Sequence, residues 1–312
     1  MPGALAGERT DRAVSMLTGC SRAAAADAVA SGQVLVDGAV ERRVSRRLAE
    51  GSVLSVVVDP APAPEPLRAD PAVVFDVVHV DGDVAVIDKP AGLVVHPGPG
   101  HAGATLVNGL LARFPELDPT SGPVVGEPER PGLVHRLDRG TSGLLVVALS
   151  PEAHEGLVAQ LVDHDVERVY SALVRGVPGH DRGVVDAPIG RSRRNPMRMT
   201  VTAEGRPART HFVVEEGFEV PEPLALLTCR LETGRTHQIR VHLDSIGHPV
   251  IGDDLYGPRR SAVALDRPFL HARRLSFDHP VTGERLSFES PLPEDLRAVL
   301  DGLRAPGSGQ PG

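Results

Sequence analysis

The amino-acid sequence predicts an α+β fold in which helices pack on a mixed sheet. Strand-like and helix-like segments alternate along the chain without the regular repeat of a doubly wound parallel sheet. A proline-rich stretch separates a short N-terminal part from a much longer one. The 312 residues, of which 41% are hydrophobic and 24% charged, are enough for two globular domains.

The clearest break in composition is the stretch 59–66, in which every second residue is proline. Alternating proline keeps the backbone extended and cannot donate hydrogen bonds to a sheet, so this stretch is typical of a semi-rigid linker. We therefore predict an N-terminal domain at 1–58, an acidic Pro/Ala-rich linker at 59–74, a larger domain at 75–304 and a flexible tail at 305–312.

An alanine-rich helix, a short hairpin and one further strand are predicted in the N-terminal domain. Ser21 is a suitable N-cap for the helix, and Gly32 is a suitable end. The hairpin turns at Asp37-Gly38, because these residues tolerate the positive φ values of a tight turn. The predicted segments are Arg22 to Ala30 for the helix, Val34 to Val36 for the first strand and Val53 to Val58 for the last.

Three strands are well marked in the larger domain. Residues 83–88 alternate apolar and polar side chains, 144–149 form a continuous apolar run, and 224–231 alternate in part. Patterns of this kind are typical of strands with one or both faces buried.

Two helices are also predicted in the larger domain. One begins at Ser150-Pro151-Glu152, since serine caps a helix well and proline suits its first turn, and it turns Leu157 and Leu161 inward. The other spans Thr236 to Ile246 and ends at a glycine. Its predicted inward residues are Ile239, Leu243 and Ile246, and the glycine is Gly247.

The composition excludes several classes of protein. Cys20 and Cys229 lie far apart, which excludes a cysteine-based zinc site and makes a disulfide framework unexpected. His237 and His242 are five residues apart rather than four, so we predict no metal site. Because neither a signal peptide nor an apolar run of about 18 residues occurs, we predict a cytoplasmic protein without membrane contact.

The segment HRLDRGTSG at 135–143 carries the strongest sign of chemistry. Asp138 is flanked by Arg136 and Arg139, in a turn of small residues that precedes a predicted strand. Nearby cations keep a carboxyl group ionised, and reactive residues often lie on loops beside rigid strands. The alternative is a turn whose aspartate caps neighbouring N–H groups and pairs with an arginine.

A second segment, LETGRTHQIRVH at 231–242, is dense in hydrogen-bond donors. His237, Arg240 and Asp244 are three and four residues apart, so they share one face of the predicted helix. Such a face suits a negatively charged partner, or a carboxylate that needs an orienting cation. The alternative is an exposed, solvated helix face.

Together these segments closely resemble the two most diagnostic motifs of the RluA-type pseudouridine synthases. The resemblance also covers DKPAGLVVHP at 88–97, ERVY at 167–170, HPVIGD at 248–253, YG at 256–257 and HA at 271–272. It implies a pseudouridine synthase domain with a largely antiparallel mixed sheet. It also implies an enzyme that isomerises uridine in RNA to pseudouridine without a cofactor.

The resemblance assigns roles to four residues. Asp138 matches the catalytic aspartate, which attacks the target uridine at ribose C1′ or at C6 of the base. Arg136 matches the arginine that enters the RNA where the target base is flipped out. Tyr170 matches the tyrosine that stacks on the base and helps to remove the C5 proton, and Arg240 matches the cation that pairs with the aspartate.

Three further positions match less directly. Lys89, the only lysine, lies in the Lys-Pro motif of the family, where it either packs under the site or takes part in catalysis. Tyr256 is expected to be a core tyrosine that supports the cleft. Gly140 stands where the family commonly has an acidic residue, which is expected to loosen one contact of the catalytic loop without removing a reacting group.

The N-terminal domain resembles the S4 RNA-binding module, on the spacing of Ser21-Arg22, Gly32 and Val36-Asp37-Gly38. This accessory domain implies the RluD-like branch, which acts on large-subunit ribosomal RNA. A surface-charged spacer domain is the alternative reading. The arginines that the resemblance assigns to RNA contact are Arg9, Arg12, Arg22, Arg42, Arg43, Arg46 and Arg47.

The charge distribution fits an RNA partner better than the net charge does. The net charge is −8, whereas surfaces that bind nucleic acids are basic. However, residues 50–89 hold eight acidic and two basic side chains, while 191–209 hold six arginines and one acid. We predict a monomer with a basic loop at 191–209 that grips RNA. The predicted RNA contacts of the larger domain, besides Arg136, are Arg139, Arg191, Arg193, Arg194, Arg198, Arg235 and His237.

Two other functions compete with the RNA isomerase. One is a catalytically idle RNA-binding protein or ribosome-assembly factor, against which Asp138, Tyr170 and Arg240 together argue. The other is a glycosidase, which normally needs two carboxylates beside the bond that is cleaved. No second acid lies in the motif of Asp138.

Overall fold

A computed structural model describes most of the chain, which divides into two compact units, Met1–Pro66 and Leu67–Gly312. The described residues are 7–20, 22–57, 67–96, 103–120, 122–195, 197–258 and 260–305. The predicted N-cap Ser21, the linker residues 59–66 and the tail residues 306–312 lie outside these ranges. None of the helices within them is long and apolar enough to cross a membrane.

The first unit contains two helices and a three-stranded antiparallel sheet in the order β2-β1-β3. Its elements are α1 (Thr10–Thr18), α2 (Arg22–Ser31), β1 (Val34–Val36), β2 (Ala39–Val40) and β3 (Leu54–Val56). The predicted helix and hairpin are confirmed, and both Asp37 and Gly38 have the positive φ values that the turn requires. The last strand is shorter than predicted. Val14, Val29 and Val34 pack together in its core.

The second unit contains the remaining thirteen strands and four helices of the described ranges. The strands are β4 (Asp76–Val80), β5 (Val84–Lys89), β6 (Gly126–Glu127), β7 (Arg130–Pro131), β8 (Ser142–Ala148), β9 (Glu167–Arg175), β10 (Arg182–Asp186), β11 (Ile189–Arg191), β12 (Met199–Val201), β13 (Arg209–Phe218), β14 (Leu224–Leu231), β15 (Leu270–Asp278) and β16 (Arg285–Glu289). The helices are α3 (Leu106–Arg113), α4 (Pro151–Asp163), α5 (Gln238–Ser245) and α6 (Glu294–Arg304), and a single 3₁₀ turn spans Pro115–Leu117.

Nine of these strands form one mixed sheet in the order β10-β13-β14-β9-β15-β8-β5-β4, with β16 paired to β15. All neighbours are antiparallel except β8 and β15, which run parallel over a short contact. The predicted α+β class with a mixed, largely antiparallel sheet is therefore confirmed. Arg68 and Asp70, which the sequence places in the linker, hydrogen-bond to Asn108 in this unit.

The main core lies on both faces of the central strands. The residues of β8 are all buried, as the continuous apolar run predicts. The strand predicted at 83–88 is confirmed as β5, and it is also buried along most of its length. Leu110 of α3 and Leu157 of α4 pack in the same cluster as Val86 and Val146.

The two predicted helices differ in how well local sequence defines them. Helix α4 begins at Pro151, and the Ser150 hydroxyl accepts a hydrogen bond from the N–H of Ala153 at 3.2 Å, as predicted. Helix α5 is shorter than predicted, because His237 has a left-handed φ of 57° and cannot continue the helix towards Thr236. The predicted burial of Ile246 is wrong, since the helix ends before it and its side chain is exposed.

Gly143 allows β8 and β15 to approach each other, and its replacement is expected to destabilise the protein. Its φ is +112°, and a Cβ atom there would lie 2.3 Å from the carbonyl oxygen of Ala272. An alanine at this position would strain its own backbone and would also displace β15, and the two costs add. We therefore expect Gly143→Ala to lower the free energy of unfolding by at least about 2 kcal/mol.

Gly283→Ala is the matched control, measured by urea unfolding. Gly283 also has a positive φ, of +74°, but nothing lies within 4 Å of its Cβ position. Its substitution should therefore cost only about 1 kcal/mol, the strain of the left-handed conformation. Equal losses in the two variants would contradict a steric role for Gly143.

Candidate active site

A cavity of about 540 Å³ opens where the segment before β8, strand β9 and helix α5 meet. Among the residues predicted to act at the site, those that line this cavity are Arg136, Asp138, Tyr170, Arg235, His237 and Arg240. Lys89, Arg139, Tyr256 and the arginines of 191–198 do not line it. Its lysine, arginine and carboxylate side chains are five arginines and one aspartate: Arg130, Arg136, Asp138, Arg168, Arg235 and Arg240.

An ion pair joins the two diagnostic segments inside this cavity. Nη1 of Arg240, on α5, donates to Oδ2 of Asp138 at 3.0 Å, although the two residues are 102 positions apart in the chain. Arg240 is buried, and the Asp138 side chain is 17% exposed, so the carboxylate stays accessible from the cavity. A carboxylate so placed is oriented by a cation and open to an electrophile.

The arginines that flank Asp138 in sequence have other partners. In the part of the chain that the structure describes, Arg136 contacts Nε2 of His96 at 2.7 Å, and Nε of Arg139 donates to the Gly92 carbonyl at 3.3 Å. The expectation that these two neighbours hold the carboxylate is therefore wrong. Side chains next to each other in a turn diverge, while α5 presents Arg240 directly to Asp138.

Asp253, for which no role was predicted, fixes the orientation of Arg240. Its two oxygens accept from Nε of Arg240 at 2.5 Å and from Nη2 at 2.8 Å, in a bidentate pair. The N–H groups of Leu255 and Tyr256 also donate to it, at 2.9 and 3.0 Å. Burial alone would raise the pKa of Asp253, but the hydrogen bonds and charge of Arg240 outweigh burial and lower it. The one sign of a role for Asp253 in the sequence was its position in the motif HPVIGD at 248–253.

Tyr170 lies on strand β9 and forms part of the apolar wall. It is buried, and burial raises the pKa of its hydroxyl to about 12, while the charge of Arg168 opposes this rise. Nearby, Nε2 of His135 accepts a hydrogen bond from the N–H of Val146 at 3.1 Å. Burial and the charge of Arg168 lower the pKa of His135 to about 3, so the imidazole is neutral. Neither His135 nor Arg168 was predicted to have a role at the site.

Comparisons with known proteins agree with this geometry. Residues 83–245 match the family model described as RNA pseudouridylate synthase. The chain is 47% identical over 279 residues to the uncharacterized RNA pseudouridine synthase YlyB of Bacillus subtilis, covering 89% of this chain and 88% of that protein. The chain belongs to the RNA pseudouridylate synthase family. It is thus an isomerase that converts uridine in RNA to pseudouridine, as the sequence predicts.

Two further relatives place the synthase within its family. Ribosomal large subunit pseudouridine synthase D of Pseudomonas aeruginosa is 41% identical over 317 residues, covering 97% of this chain and 94% of the relative. The solved structure of human RNA pseudouridylate synthase domain containing 1 superimposes with a TM-score of 0.54 at 27% identity. That match covers 76% of this chain and 97% of the human chain.

Two basic side chains, Lys89 and Arg267, donate hydrogen bonds to backbone carbonyls in and beside the loop that carries Asp138. Nζ of Lys89 donates to the carbonyls of Pro90 at 2.8 Å, Leu93 at 3.0 Å and Arg139 at 3.4 Å. Nη1 of Arg267 donates to the carbonyl of Gly140 at 3.3 Å. Lys89 is completely buried and acts on the loop through backbone carbonyls.

We expect Lys89→Met to flatten the pH dependence of stability between pH 7 and 10.5. Burial lowers the pKa of Lys89 from 10.5 to about 7, against the opposing charge of Asp138. The unfolded chain therefore binds more protons in this window, and the wild type gains stability as the pH rises, by up to about 1.4 kcal/mol per pH unit. Urea unfolding at each pH measures the slope. Identical slopes in both proteins would mean that Lys89 stays protonated throughout.

Tyr256 contacts both the hairpin β11–β12 and His237, a residue that lines the cavity. Its hydroxyl accepts a hydrogen bond from the N–H of Met199 at 2.7 Å and lies 3.0 Å from Nδ1 of His237. The guanidinium groups of Arg198 and Arg240 lie 4.8 and 5.2 Å from its ring centroid. Tyr256 is thus a buried residue with a satisfied hydroxyl, which connects the basic hairpin to the cation of the ion pair.

The basic loop at 191–209 does not present all its arginines in the same way. Arg193 and Arg194 lie exposed in the turn between β11 and β12, as Arg191 does at its start. Arg209 instead pairs with Asp186 at 2.6 Å and with Glu232 at 3.2 Å, so it belongs to the sheet rather than to the loop. Outside the loop, Nε of Arg235 donates to the Pro207 carbonyl at 3.0 Å.

Gly140 lies close to Pro268, which would have to shift to make room for a side chain at position 140. A Cβ atom there would lie 2.8 Å from Cδ of Pro268, so an acidic side chain would displace Pro268. The loop contact expected from the family's usual acidic residue is therefore replaced by close packing against Pro268, with Arg267 bound to the Gly140 carbonyl.

In the first unit, the predicted RNA-binding arginines form local ion pairs. Arg9 pairs with Asp11 at 3.0 Å, and Arg22 lies 3.7 Å from the same carboxylate. Arg12 pairs with Glu8 at 3.4 Å. The Arg12–Glu8 pair is of the weak surface kind, which an approaching phosphate can replace. Asp11 is buried, and Arg9 donates two hydrogen bonds of 3.0 Å to its oxygens, so that pair is a firmer one.

One cluster of metal-type donors occurs within the described ranges, away from the cavity. Asp81, Asp83 and His279 bring three donor atoms within 4.8 Å of one another. The carboxylate of Asp81 already accepts from the N–H groups of Asp83 and Val84, and lies 2.8 Å from Nε2 of His79. The cluster is thus satisfied by its own hydrogen bonds.

Proposed function

We propose that this synthase isomerises uridines of large-subunit ribosomal RNA, with Asp138 as its nucleophile. The observation that carries the proposal is the 3.0 Å ion pair of Asp138 with the buried Arg240, which holds one accessible carboxylate at the cavity wall. The choice of RNA rests on relatives named ribosomal large subunit pseudouridine synthase D, at 40–42% identity over nearly the whole chain.

The reaction then needs no cofactor, because every bond broken is replaced. If Asp138 attacks C1′, its oxygen forms a bond to C1′ while the N1–C1′ bond breaks and its electron pair leaves with uracil. The uracil turns, C5 attacks C1′, and the carboxylate is released. If Asp138 attacks C6 instead, its oxygen forms a bond to C6 while the π electron pair of the C5–C6 double bond moves towards O4. The N1–C1′ bond then breaks, C5 forms the bond to C1′, and the carboxylate is released from C6. In both routes C5 loses a proton and N1 gains one.

Tyr170 is proposed to stack on the flipped base and to accept the C5 proton. Its position on the cavity wall, beside Arg168, supports this role. Tyr170 can accept this proton only as the phenolate, a form that burial and the charge of Asp138 disfavour and the charge of Arg168 favours. His135, neutral and bound to the backbone, is not suited to this task.

RNA is proposed to lie across the cavity mouth and against the β11–β12 hairpin. Arg136, exposed at the mouth, takes the place of the flipped base and contacts phosphate. Arg235 and His237 line the same mouth. The further contacts proposed in this unit are Arg139, Arg191, Arg193, Arg194 and Arg198.

The first unit is proposed to be an S4-like RNA-binding domain that contacts structured RNA through Arg9, Arg12 and Arg22. The weak surface ion pair of Arg12 with Glu8 and the exposed side chain of Arg22 support this role, since such groups are available for phosphate contacts. We further propose that the enzyme is a cytoplasmic monomer, in keeping with action on ribosomal RNA.

The test begins in the host. Deleting the gene should remove specific pseudouridines from large-subunit ribosomal RNA and leave those of transfer RNA unchanged. Purified protein should restore them in RNA taken from the deletion strain, with release of tritium from [5-³H]uridine at the same positions. Loss of pseudouridine from transfer RNA alone would overturn the substrate assignment. An unchanged set of pseudouridines in all RNA classes would overturn the proposed reaction.

A further inference from the structure

Arg168 is a buried arginine without a counter-charge in the part of the chain that the structure describes. Its residue is 5% exposed, and no carboxylate of a described residue lies within 4.0 Å of it. Nη2 donates to the carbonyl of Glu232 at 3.0 Å, while Nε, also buried, has no hydrogen-bond partner. A buried cation of this kind destabilises the free protein unless an anion joins it.

The position of Arg168 directs it to the cavity. Arg168 and Tyr170 are two residues apart on strand β9, so their side chains project from the same face of the sheet. Both line the cavity. Thr141 lines it too, and its hydroxyl is likewise buried without a hydrogen-bond partner. Two cavity residues that each have a buried polar atom without a partner indicate a ligand that brings hydrogen-bond acceptors.

The other arginines of the cavity are already engaged. Arg240 is neutralised by two carboxylates, and Arg130 pairs with Glu127 at 2.6 Å. Arg235 donates to a backbone carbonyl, and Arg136 contacts a histidine. Among these arginines, therefore, Arg168 has the charge that is both buried and uncompensated.

We propose that Arg168 stabilises the negative charge that develops on the carbonyl oxygens of the flipped uracil, and that it is a catalytic residue of the isomerisation. The inference rests on the proposed attack by Asp138. Attack at C1′ releases uracil as an anion with its charge on O2 and O4, and attack at C6 sends the charge to O4. A preorganised cation in a closed site stabilises such charge more than it stabilises the neutral base.

The first arm of the test measures the two kinetic parameters separately. In tritium release from [5-³H]uridine RNA, Arg168→Met should lower kcat on the order of 10²-fold and leave KM nearly unchanged. KM should be retained because affinity for RNA comes mainly from phosphate contacts. Arg168→Lys keeps the charge but loses the planar donors, so its kcat should lie between those of the wild type and Arg168→Met.

Arg273→Met is the matched control. Arg273 also has a buried Nε without a hydrogen-bond partner, and it lies on the neighbouring strand β15, but it does not line the cavity. Its removal should leave kcat unchanged. Urea unfolding of each variant shows whether the protein is folded under assay conditions.

The second arm detects the contact itself, which a merely structural residue would not make. Target RNA is synthesised with 4-thiouridine or 2-thiouridine at the modified position, since sulfur is a weaker acceptor than oxygen. Where Arg168 contacts that oxygen, sulfur should slow the wild type by about tenfold more than it slows Arg168→Met, the factor expected for a charge-assisted hydrogen bond. Comparing the two enzymes cancels the intrinsic reactivity of the thio-base.

The outcomes separate the inference from the proposed function. An active wild type with equal thio-penalties in both enzymes at both positions would sink the role of Arg168 and leave the function of Asp138 intact. A KM effect without a kcat effect would do the same, since it would make Arg168 an RNA-affinity residue. A wild type that releases no tritium from any RNA would overturn the proposed function, and this inference with it.

Discussion

Asp138→Asn is expected to reduce pseudouridine formation on the order of 10⁴-fold or more, the loss typical of removing a nucleophile. The amide has the size of the carboxylate and can still accept the hydrogen bond that Arg240 donates at 3.0 Å, so the fold should be retained. What is lost is the anionic oxygen that forms the bond to the uridine. Single-turnover tritium release measures the rate, and urea unfolding measures the stability.

Asp254→Asn is the matched control for this prediction. Asp254 lies 3.6 Å from Nη2 of the same arginine, but its side chain is 83% exposed. An exposed pair of this kind contributes at most about 1 kcal/mol, so the rate should stay within about fivefold of the wild type. If Asp138→Asn kept a tenth of the activity or more, the nucleophile would have to be sought elsewhere.

Arg240→Met is expected to damage both stability and catalysis. It would leave Asp253, whose side chain is fully buried, as an uncompensated charge, which typically costs about 3–5 kcal/mol. It would also leave Asp138 without the cation that orients it. Denaturant unfolding should show the first effect, and single-turnover kinetics in folded protein should show the second.

The double variant Arg240→Met, Asp253→Asn distinguishes these two effects. It removes both the guanidinium and the Asp253 carboxylate of the buried pair, so much of the stability should return. Activity should stay low because Asp138 is still unpaired. A double variant that recovers activity along with stability would show that Arg240 serves the fold alone.

The pH dependence of stability gives an independent check on this pair. The pKa of Asp253 is lowered in the folded state, so its contribution is present above its unfolded pKa of about 4 and is lost as the pH falls further. In Arg240→Met the buried carboxyl should instead have a raised pKa. That variant should therefore become relatively more stable, compared with the wild type, as the pH is lowered from 7 towards 4.

Local signals in the sequence predict the regular elements well. Strand β14 has the predicted bounds, Leu224–Leu231, and the cap at Ser150 fixes the start of α4. Helix α5 was predicted too long because a left-handed histidine at 237 leaves no trace in composition, unlike the glycine that usually takes this conformation. The burial of β5 on both faces depends on tertiary packing, which alternation within one strand cannot reveal.

The site was predictable as far as single residues go, and the family resemblance also supplied the pairing of Arg240 with Asp138, but the other contacts were not predictable. Sequence proximity alone favoured Arg136 and Arg139 as partners of Asp138, whereas the fold brings up Arg240 from 102 positions away. The second carboxylate, Asp253, follows from the physical requirement that a buried guanidinium be neutralised and held in a fixed orientation. That requirement becomes visible only when the burial of Arg240 is known.

The buried lysine under the catalytic loop also determines the chemistry of the protein surface. Lys89 is the only lysine in the chain, and it is completely enclosed. Every permanently charged cation that meets solvent is therefore a guanidinium group, which binds phosphate through planar, paired donors. Lysine acetylation and amine-directed labels have no side chain to modify on this surface. An engineered exposed lysine would consequently be the one side-chain amine on this surface, and so a defined attachment point for following the enzyme on its RNA.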